Sequence, residues 1–442
     1  MDAKVNWSNY LEHATLSDLG MRRGSNQDAS ASVLAPDEQS WRRRGHVFMV
    51  ADGMGAHAAG ELASQLAVEG VPFSYHKMPD APPPDAIRKS VREVNQQINR
   101  RGEANAEFRG MGTTASVLVV LPQGALVAHV GDSRVYRLRK STLEQLTFDH
   151  SLVWEMSAAG QIAKEDLPQF VPKNIITRSL GPHAEVQVDL EGPYPTEPGD
   201  TFLLCSDGLT GQLKDEEIGA ILGSLPPDEA ARVLVDLANL RGGPDNITVI
   251  IVRVVGNPPG SGAAEPLAVT EDLSELRAQK LMRVVMLSFA AVCLVAAIVL
   301  FSLEFRIPAL VSVAAAVVLF ALGMLQSGSS AEPQLRYLRP GATLGKGPHV
   351  RVECPPGEAF VGDLRKLVDQ LRDAATEGNW SLDWSKFNSY SRQAETAAEQ
   401  RNYAQAVRDY ARALRAMMTE LRNQRLKGKK AEPEDGESLI GR

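Results

Sequence analysis

The sequence predicts an α+β fold in which two sheets lie between layers of helices, followed by two transmembrane helices and a small, mostly helical C-terminal region. Three observations support this prediction. Apolar runs typical of buried strands alternate with amphipathic stretches as far as residue 255. Two long uncharged apolar runs follow, and beyond residue 326 the chain becomes polar again. Strands followed by helices and then further strands suit two sheets packed between helices.

Length and composition limit the classes of protein to consider. A chain of 442 residues is too long for one ordinary core, so two or more domains are expected. A net charge of −7 argues against a nucleic-acid binder. The three cysteines are scattered without ligand spacing, which favours reduced thiols in the cytosol over a disulfide scaffold or a zinc site. The polar N-terminus lacks the apolar core of a signal peptide, so export of the first domain is not expected.

Residues 46–64 combine a strand, a carboxylate and a helix. His46 to Ala51 is an apolar run typical of a buried strand, and Asp52 follows it with a predicted glycine turn before helical spacing begins at Ala58. A carboxylate at the rim of a sheet suits a hard divalent cation, which prefers oxygen ligands. Taken alone, an Asp-Gly pair more often serves only to cap a turn.

Two amphipathic helices are predicted before residue 255. In 85–101 the apolar residues recur at steps of four, three and four, as Ile87, Val91, Val94 and Ile98. A second helix is predicted over 227–240, with prolines at its start and a glycine pair after it. Residues 1–15 are expected to form a short lead-in with one helical turn.

Further aspartates stand beside strands and glycines in four more stretches. These are DLGMRRGSNQDA at 18–29, GTTASVLVVLPQGALVAHVGDSRVY at 112–136, TFLLCSDGL at 201–209 and GGPDNITVIIVRV at 242–254. With these motifs, in this order from about Leu16 to Val255, the chain resembles the metal-dependent protein phosphatase family, the type-2C serine/threonine phosphatases, in its bacterial form. The phrases LTFDHSLV at 146–153 and NIITRSLG at 174–181 agree with that resemblance.

The resemblance implies a fold and a reaction. The fold is a four-layer αββα sandwich of two antiparallel sheets in a catalytic domain over 1–256, with metals in a cleft between the sheets and a mobile flap at 145–180. The reaction is hydrolysis of phosphoserine and phosphothreonine by a water that bridges two metal ions, Mn²⁺ or Mg²⁺. The implied partners are phosphoproteins, the substrates of a serine/threonine kinase. The alternative is a weakly active or inactive relative that serves as a phosphoprotein-binding signalling module.

Three predicted catalytic residues come from the first two motifs. By resemblance, Arg23 binds the substrate phosphate, for which its planar fork is suited. Asp52 would bridge the two metals, and Gly53 would offer its carbonyl oxygen to one of them. Asp28, also counted among the metal-binding residues, would act mainly through a metal-bound water.

The later motifs supply the remaining predicted metal ligands. By resemblance, Asp207 and Asp245 complete the opposite side of the two-metal centre. Asp132 is the position that, together with Asp207, would hold a third and weaker metal ion.

The first two motifs depart from the family pattern at two positions, and a histidine close to them is a candidate for a catalytic role. Gln27 stands where the family commonly has glutamate, which removes one negative charge but leaves a side chain able to hydrogen-bond a metal-bound water. Met54 occupies the position of a histidine proposed as general acid in animal members, so the proton donor stays open. His57 is interpreted as packing or capping near the following helix rather than as catalytic.

Two membrane spans are predicted after a linker. Residues 257–281 comprise a Pro/Gly linker and a charged juxtamembrane helix, and 282–326 contain two apolar runs, Val284 to Leu303 and Ile307 to Leu325. Each run is long enough to cross a hydrocarbon core, and a buried helix is the alternative only for a lone run. Basic residues flank the outer ends, Arg277, Lys280, Arg283, Arg336 and Arg339, against one in the turn. This bias predicts a multi-pass protein of the inner membrane with both long ends cytoplasmic.

The C-terminal region is predicted in three parts. Residues 327–378 form a small mixed region, 379–426 a helical hairpin that resembles a single tetratricopeptide repeat, and 427–442 a disordered tail. A plain helical hairpin is the alternative to the repeat. Because no neighbouring repeat covers its apolar and tyrosine positions, the hairpin is expected to dock on a protein partner, a second copy or the catalytic domain.

Overall fold

The fold follows from a computed structural model that describes most of the chain. The described residues are 7–56, 58–160, 175–257, 266–270, 273–303, 305–325, 335–339, 341–378 and 383–431. Four predictions fall wholly or partly outside these residues. They concern His57, the middle of the predicted flap, most of the predicted linker and the end of the predicted tail. The structure divides into two compact units: residues 1–265 together with 340–442, and residues 266–339.

Fourteen strands lie in the described part of the chain. In chain order they are β1 (Leu11–Asp18), β2 (Asp28–Val33), β3 (His46–Met54), β4 (Gly112–Thr113), β5 (Ala115–Leu121), β6 (Gly124–Val130), β7 (Arg134–Arg139), β8 (Thr142–Gln145), β9 (Asp189–Tyr194), β10 (Thr201–Cys205), β11 (Ile247–Val254), β12 (Ala268–Thr270), β13 (Leu335–Tyr337) and β14 (Val350–Glu353).

Twelve α-helices are described as well. They are α1 (Glu38–Arg44), α2 (Ala59–His76), α3 (Pro83–Ala104), α4 (Leu152–Ala158), α5 (Asp207–Thr210), α6 (Asp215–Ser224), α7 (Pro227–Leu240), α8 (Leu273–Ser302), α9 (Arg306–Leu325), α10 (Glu358–Glu377), α11 (Trp384–Glu399) and α12 (Tyr403–Ala431), and a 3₁₀ turn covers Ala106–Phe108.

The strands of the first unit form two antiparallel sheets. One has the order β2-β3-β5-β6-β9 with β4 beside β3, and the other has the order β1-β11-β10-β7-β8-β14. Helices α2 and α3 cover the first sheet, while α6 and α7 cover the second. The predicted α+β arrangement of antiparallel sheets flanked by helices is therefore confirmed. Residues 11–15, expected in a helical lead-in, belong instead to β1, which pairs with β11 along its whole length.

Alternation along the strands builds two cores. Between the sheets lie side chains such as Phe48 and Leu118 from one sheet and Phe202 and Ile250 from the other. The next residue along β10, Leu203, faces the opposite side and joins the core beneath α6 and α7. This period of two fixes which side chains of each strand face each of the two cores.

The C-terminal helices extend the second core. Strand β14 pairs with β8 at the edge of the second sheet. Helix α12 packs over α6 and α7, and α10 and α11 pack on α12. Tyr410 and Leu414, which were expected to be exposed for docking, are 1% and 0% exposed in the same cluster as Leu222 and Leu234. Of the three surfaces on which the hairpin was expected to dock, the catalytic domain is the one that covers it here.

The second unit holds two long apolar helices. Helices α8 and α9 pack on each other with small side chains buried along them, Ala290, Ala297, Ala309 and Ala316. Large apolar side chains such as Phe289 and Val311 are exposed. By length and composition, the segment Val284–Ser302 is the one described helix able to cross a membrane, and the apolar part of the second helix, Arg306–Ala321, is shorter.

Candidate metal and phosphate site

Strand register brings the first two aspartates face to face. Strands β2 and β3 pair so that Asp28 lies directly opposite Asp52. Directly opposed residues of an antiparallel pair have Cβ atoms about 4.5–5.5 Å apart. Thr114 holds the backbone of Asp52 with two hydrogen bonds. The N–H of Asp52 donates to Thr114 Oγ1 at 2.8 Å, and the N–H of Thr114 donates to the carbonyl of Asp52 at 2.9 Å. Two carboxylates at one spot on a sheet rim repel each other unless a proton or a cation separates them.

The second sheet supplies the other three aspartates at matching positions. Strands β7 and β10 pair with Arg134 opposite Cys205. Asp132 lies two residues before Arg134 and Asp207 two residues after Cys205, so both stand at the same end of this ladder. Asp245 lies two residues before β11 begins at Ile247. The sheet topology thus gathers at one rim residues that are more than 200 positions apart in sequence.

Glycines follow two of these aspartates because other backbone passes there. A Cβ on Gly53 would lie 2.1 Å from the carbonyl oxygen of Gly60, and one on Gly208 would lie 2.0 Å from that of Asn246. The predicted turn after Asp52 is wrong, because β3 continues to Met54 and pairs with β4. Close approach, rather than an unusual backbone angle, requires glycine at both positions.

Burial makes four of these aspartates, Asp28, Asp52, Asp132 and Asp207, resist ionisation. Burial raises the pKa of Asp28 to about 6, despite a hydrogen bond from Ser206, and that of Asp132 to about 7. Burial, and then the neighbouring carboxylates, raise the pKa of Asp52 and of Asp207 above the ordinary range. A bound cation would favour the charged form of each, which is the usual electrostatic relation between a metal ion and its ligands.

Three carboxylate oxygens in this cluster are buried without a hydrogen-bond partner. They are Oδ1 of Asp28, Oδ1 of Asp132 and Oδ1 of Asp207. A buried polar atom without a partner is costly and therefore points to a missing ligand. Carboxylate oxygens are the donors that Mg²⁺ and Mn²⁺ prefer. These residues fit the divalent ions that the sequence predicts.

Within the described residues, no three histidine, cysteine, aspartate or glutamate side chains form a ready ligand cluster. Two of the aspartates each direct one oxygen toward a protein donor. Asp245 accepts from Arg23 at 2.7 Å, and Asp28 accepts from Ser206 at 2.7 Å. The ligand set implied by the resemblance also includes the Gly53 carbonyl and water, so carboxylates account for only part of it.

Arg23 lies at the open side of the site. Its side chain is 49% exposed, and its guanidinium forms an ion pair with Asp245. The hydrogen bond from Arg23 to Asp245 raises the arginine pKa further, and Asp52 and Asp207 add to this effect at longer range. An exposed, permanently charged fork beside buried carboxylates can bind the oxygens of a phosphate that enters from solvent.

Two supporting residues were not singled out from the sequence. Ser206 donates to Asp28 and accepts from the N–H of Thr248, and thereby links the two sheets. Asn246 donates to the carbonyls of Leu19 and Ser25 and accepts from the N–H of Gln27. Each follows or precedes an aspartate of the motifs, but only the tertiary fold shows which backbone groups it reaches.

A histidine network supports the Asp132 turn. His150 Nδ1 accepts from the N–H of Gly131 at 2.9 Å, and its Nε2 pairs with Asp189 at 2.9 Å. His129 stacks on His150 and its Nε2 bonds the Gly131 carbonyl. Burial lowers the pKa of His129 to about 3, so this ring is neutral. The phrase at 146–153 contained His150, but its spacing did not indicate a contact with Gly131.

Gln27 and Met54 take positions that bear on the departures from the family pattern. The carbonyl of Gln27 accepts from the N–H of Gly53 and from Ser64 Oγ, at 3.1 and 2.6 Å. Its side-chain amide lies against Gly60 at the start of α2. The expected hydrogen bond of this side chain to a metal-bound water stays a prediction. Met54 ends β3 close to Gly112, with no group that could donate a proton.

Comparisons with known proteins agree with this geometry. A family model described as protein phosphatase 2C matches residues 22–234. The chain is 39% identical over 241 residues to the serine/threonine phosphatase stp of Listeria welshimeri, covering 53% of this chain and 93% of that protein. It is 38% identical over 257 residues to protein phosphatase PhpP of Streptococcus pneumoniae, covering 55% and 98%. A serine/threonine phosphatase structure from S. agalactiae superposes with a TM-score of 0.50 at 35% identity, covering 55% of this chain and all of that one.

Proposed function

This chain belongs to the protein phosphatase 2C family and is a serine/threonine protein phosphatase of that metal-dependent type, and we propose that it acts from the cytoplasmic face of the inner membrane. Its substrates are proteins that a serine/threonine kinase has phosphorylated. The observation that carries the catalytic part is the set of three unpartnered buried carboxylate oxygens beside Arg23.

Five aspartates and one carbonyl would hold the metal ions. Asp28, Asp52, Asp207, Asp245 and the Gly53 carbonyl suit a pair of ions, and Asp132 with Asp207 suits a third and weaker one. When bound, Mn²⁺ or Mg²⁺ would activate the attacking water and offset charge on the phosphoryl group.

The protein's own side chains do the remaining work. Arg23 binds and orients the phosphate through two of its N–H groups. For this, its N–H groups either leave Asp245 for the phosphate oxygens or are shared between the two. Ser206 and Thr114 hold Asp28 and Asp52 in place with hydrogen bonds of 2.7 and 2.8 Å. Such prior orientation lets the site stabilise the transition state without rearranging.

Membrane attachment is supported by the exposure and the connectivity of α8 and α9. Apolar side chains such as Val292 and Leu310, 64% and 70% exposed, would be unstable in water. The chain leaves the first unit at residue 265 and returns to it at residue 340. A folded unit lies on one side of a membrane, so the segment between must cross an even number of times. Two spans, rather than one, therefore fit this chain.

A peptide assay tests the substrate class. The full chain in detergent with Mn²⁺ should release phosphate from phosphoserine and phosphothreonine peptides but not from the matched phosphotyrosine peptide. Arg23→Ala should raise KM for the peptide and leave Mn²⁺ affinity unchanged, whereas Arg22→Ala removes the same charge and should alter KM little. Equal turnover of the phosphotyrosine peptide would contradict the proposal.

Reporter fusions test the topology. A green fluorescent protein fused after Arg442 should be bright and an alkaline phosphatase fused there inactive, because both ends of the hairpin face the cytoplasm. The reverse pattern would contradict two spans.

A further inference from the structure

The last described helix reaches the segment that leads to Arg23. Arg422 of α12 donates from a guanidinium nitrogen to Asp236 Oδ1 at 2.5 Å, and the same nitrogen lies 3.8 Å from Asp18 Oδ2. Asp236 is 1% exposed within α7, and Asp18 is the last residue of β1. One arginine from the C-terminal region therefore serves two carboxylates of the catalytic region.

Asp18 sets the backbone of the turn that follows it. Its Oδ1 accepts from the N–H of Gly20 at 2.9 Å and from Asn239 Nδ2 at 3.0 Å. This is the Asx arrangement, in which a side chain fixes the backbone two residues later. The acceptor atom is thus shared between the turn and helix α7.

The same turn is packed against the segment that precedes β11. Gly20 has φ +79°, and a Cβ there would lie 2.1 Å from the carbonyl oxygen of Asp245. Met21 donates its N–H to the Gly243 carbonyl at 2.7 Å. Arg23 follows two residues later and pairs with Asp245. These contacts restrict the backbone from Asp18 to Arg23, so the orientation of Asp18 bears on the position of Arg23.

Charge balance explains why an arginine is needed behind this turn. Asp18 and Asp236 are like charges near each other, and burial raises the pKa of Asp236 to about 6, with Asp18 adding to the rise and Arg422 opposing it. Without Arg422 the two carboxylates repel each other, and Asp18 is the more exposed and the freer to turn away.

We propose that Arg422 is a positioning residue for phosphate binding: through Asp18 it holds the 18–23 turn, and so Arg23, in the orientation that meets the substrate. The inference rests on the proposed role of Arg23. It assigns an active-site task to a helix that follows α8 and α9 in sequence, beyond residues 22–234, which the family model matches.

Steady-state kinetics of the full chain in detergent tests this assignment, with p-nitrophenyl phosphate and Mn²⁺. Arg422→Ala should raise KM roughly three- to tenfold, the effect of a misplaced binding group, with kcat changed less than about twofold. Arg422→Lys, which keeps the charge, should recover part of the loss. The inhibition constant for inorganic phosphate should rise in parallel with KM.

Arg412→Ala is the matched control. Arg412 lies on the same helix and pairs with Glu229 of the same helix α7 at 3.1 Å. It removes one ion pair between the two helices without touching Asp18, and KM should stay unchanged. Equal effects of the two substitutions would mean that loosened packing is the cause, and would overturn the proposal.

A double substitution separates this inference from the proposed function. In an Arg23→Ala background, Arg422→Ala should raise KM no further, because the group it positions is gone. Additive effects would overturn the proposal, as would an unchanged KM in Arg422→Ala alone. If Arg23→Ala itself left KM unchanged, the proposed role of Arg23 would fail first. Should Arg422→Ala not fold, Asp18→Ala tests the same link from the turn. Asp18→Ala should raise KM as much as is expected of Arg422→Ala, and it should raise KM no further in the Arg23→Ala background.

Discussion

At the scale of single residues, glycines decide how closely the two sheets and helix α2 can meet at the site. Gly53 has the Gly60 carbonyl against it, and Gly53 N–H donates to Gln27 at 3.1 Å. A side chain here would separate the strand that carries Asp52 from the helix that starts beside it. The Asp-Gly pairs of the motifs are therefore requirements of packing as well as of ligand placement.

Gly53→Ala should remove most of the activity, because its Cβ cannot fit without moving the backbone on both sides. We expect at least a tenfold loss of kcat/KM and weaker Mn²⁺ binding by calorimetry, in keeping with the cost of a small displacement at a catalytic site. Gly223→Ala is the control. Gly223 lies in the last turn of α6, and the nearest neighbour of its Cβ would be a Leu138 methyl group at 3.5 Å. That change should leave activity unchanged and add up to about 1 kcal/mol of stability. Normal activity of Gly53→Ala would contradict the packing explanation.

The raised pKa values predict how stability depends on pH. In metal-free protein the folded state holds protons on Asp28 and Asp132, with pKa values of about 6 and 7, that the unfolded state releases near pH 4. Their contribution is complete below about pH 4 and is lost as pH rises through about 6 to 7. The Tm in EDTA should therefore fall from pH 5 to pH 8.

Bound Mn²⁺ should reverse this trend, because metal binding requires the ionised carboxylates. Differential scanning fluorimetry with EDTA and with Mn²⁺ measures both slopes, and Asp132→Asn should flatten the slope in EDTA. A Tm in EDTA that is independent of pH in wild type, or a slope unaffected by Asp132→Asn, would show that these carboxyls are not protonated in the folded state.

At the scale of elements, the C-terminal helices share a core with the catalytic sheet. Phe387 of α11 is 1% exposed in the cluster that also contains Leu203 of β10 and Leu234 of α7. Arg408 donates to the Ser224 carbonyl, and Cys354 lies against Gly219. The stability of the catalytic region is thus coupled to helices that lie beyond the apolar helices α8 and α9 in sequence.

Phe387→Ala should lower the free energy of unfolding by about 3–5 kcal/mol, the usual cost of deleting a buried aromatic side chain. Because the core is shared, phosphatase activity should disappear in the same urea transition as the fluorescence of the two C-terminal tryptophans, Trp380 and Trp384. Phe73→Ala, at a position 60% exposed on α2, should change stability by less than about 0.5 kcal/mol. An unshifted midpoint for activity in Phe387→Ala would mean that the two parts unfold independently.

Local sequence predicted the helices better than the strand ends. The helix predicted over 227–240 is found at Pro227–Leu240, since proline at its first position and an apolar face act locally. The helix predicted over 85–101 extends to Pro83–Ala104. Strand β3 continues through Asp52 and Gly53, two residues with low strand propensity, because pairing with β4 supplies the hydrogen bonds. Such pairing lies 60 residues away in sequence and leaves no local pattern.

The site itself was predicted from motifs, but its support was not. The spaced aspartates and Arg23 were named from the sequence, and their roles stay predictions. Strand register places Asp28 opposite Asp52. The tasks of Asn246, His150 and Arg422 depend on long-range contacts that neither spacing nor periodicity contains. The sequence left open which of three surfaces covers Tyr410 for the same reason, since its cover comes from the catalytic region.

At the scale of the whole molecule, the apolar helices are an insertion between two parts of one folded unit. Residues 1–265 and 340–442 form that unit, so the active site and its C-terminal support share one side of any membrane.

The central claim is that the protein hydrolyses phosphoserine and phosphothreonine with divalent metal ions held by this cluster of aspartates. Phosphate release from a phosphothreonine peptide by the full chain tests it most directly, with Mn²⁺, after EDTA, and after Mn²⁺ is restored, for wild type and Asp207→Ala. Wild-type release should stop on chelation and return with Mn²⁺, and Asp207→Ala should show none because a shared ligand is gone. Full turnover in EDTA, or wild-type turnover by Asp207→Ala, would contradict the account.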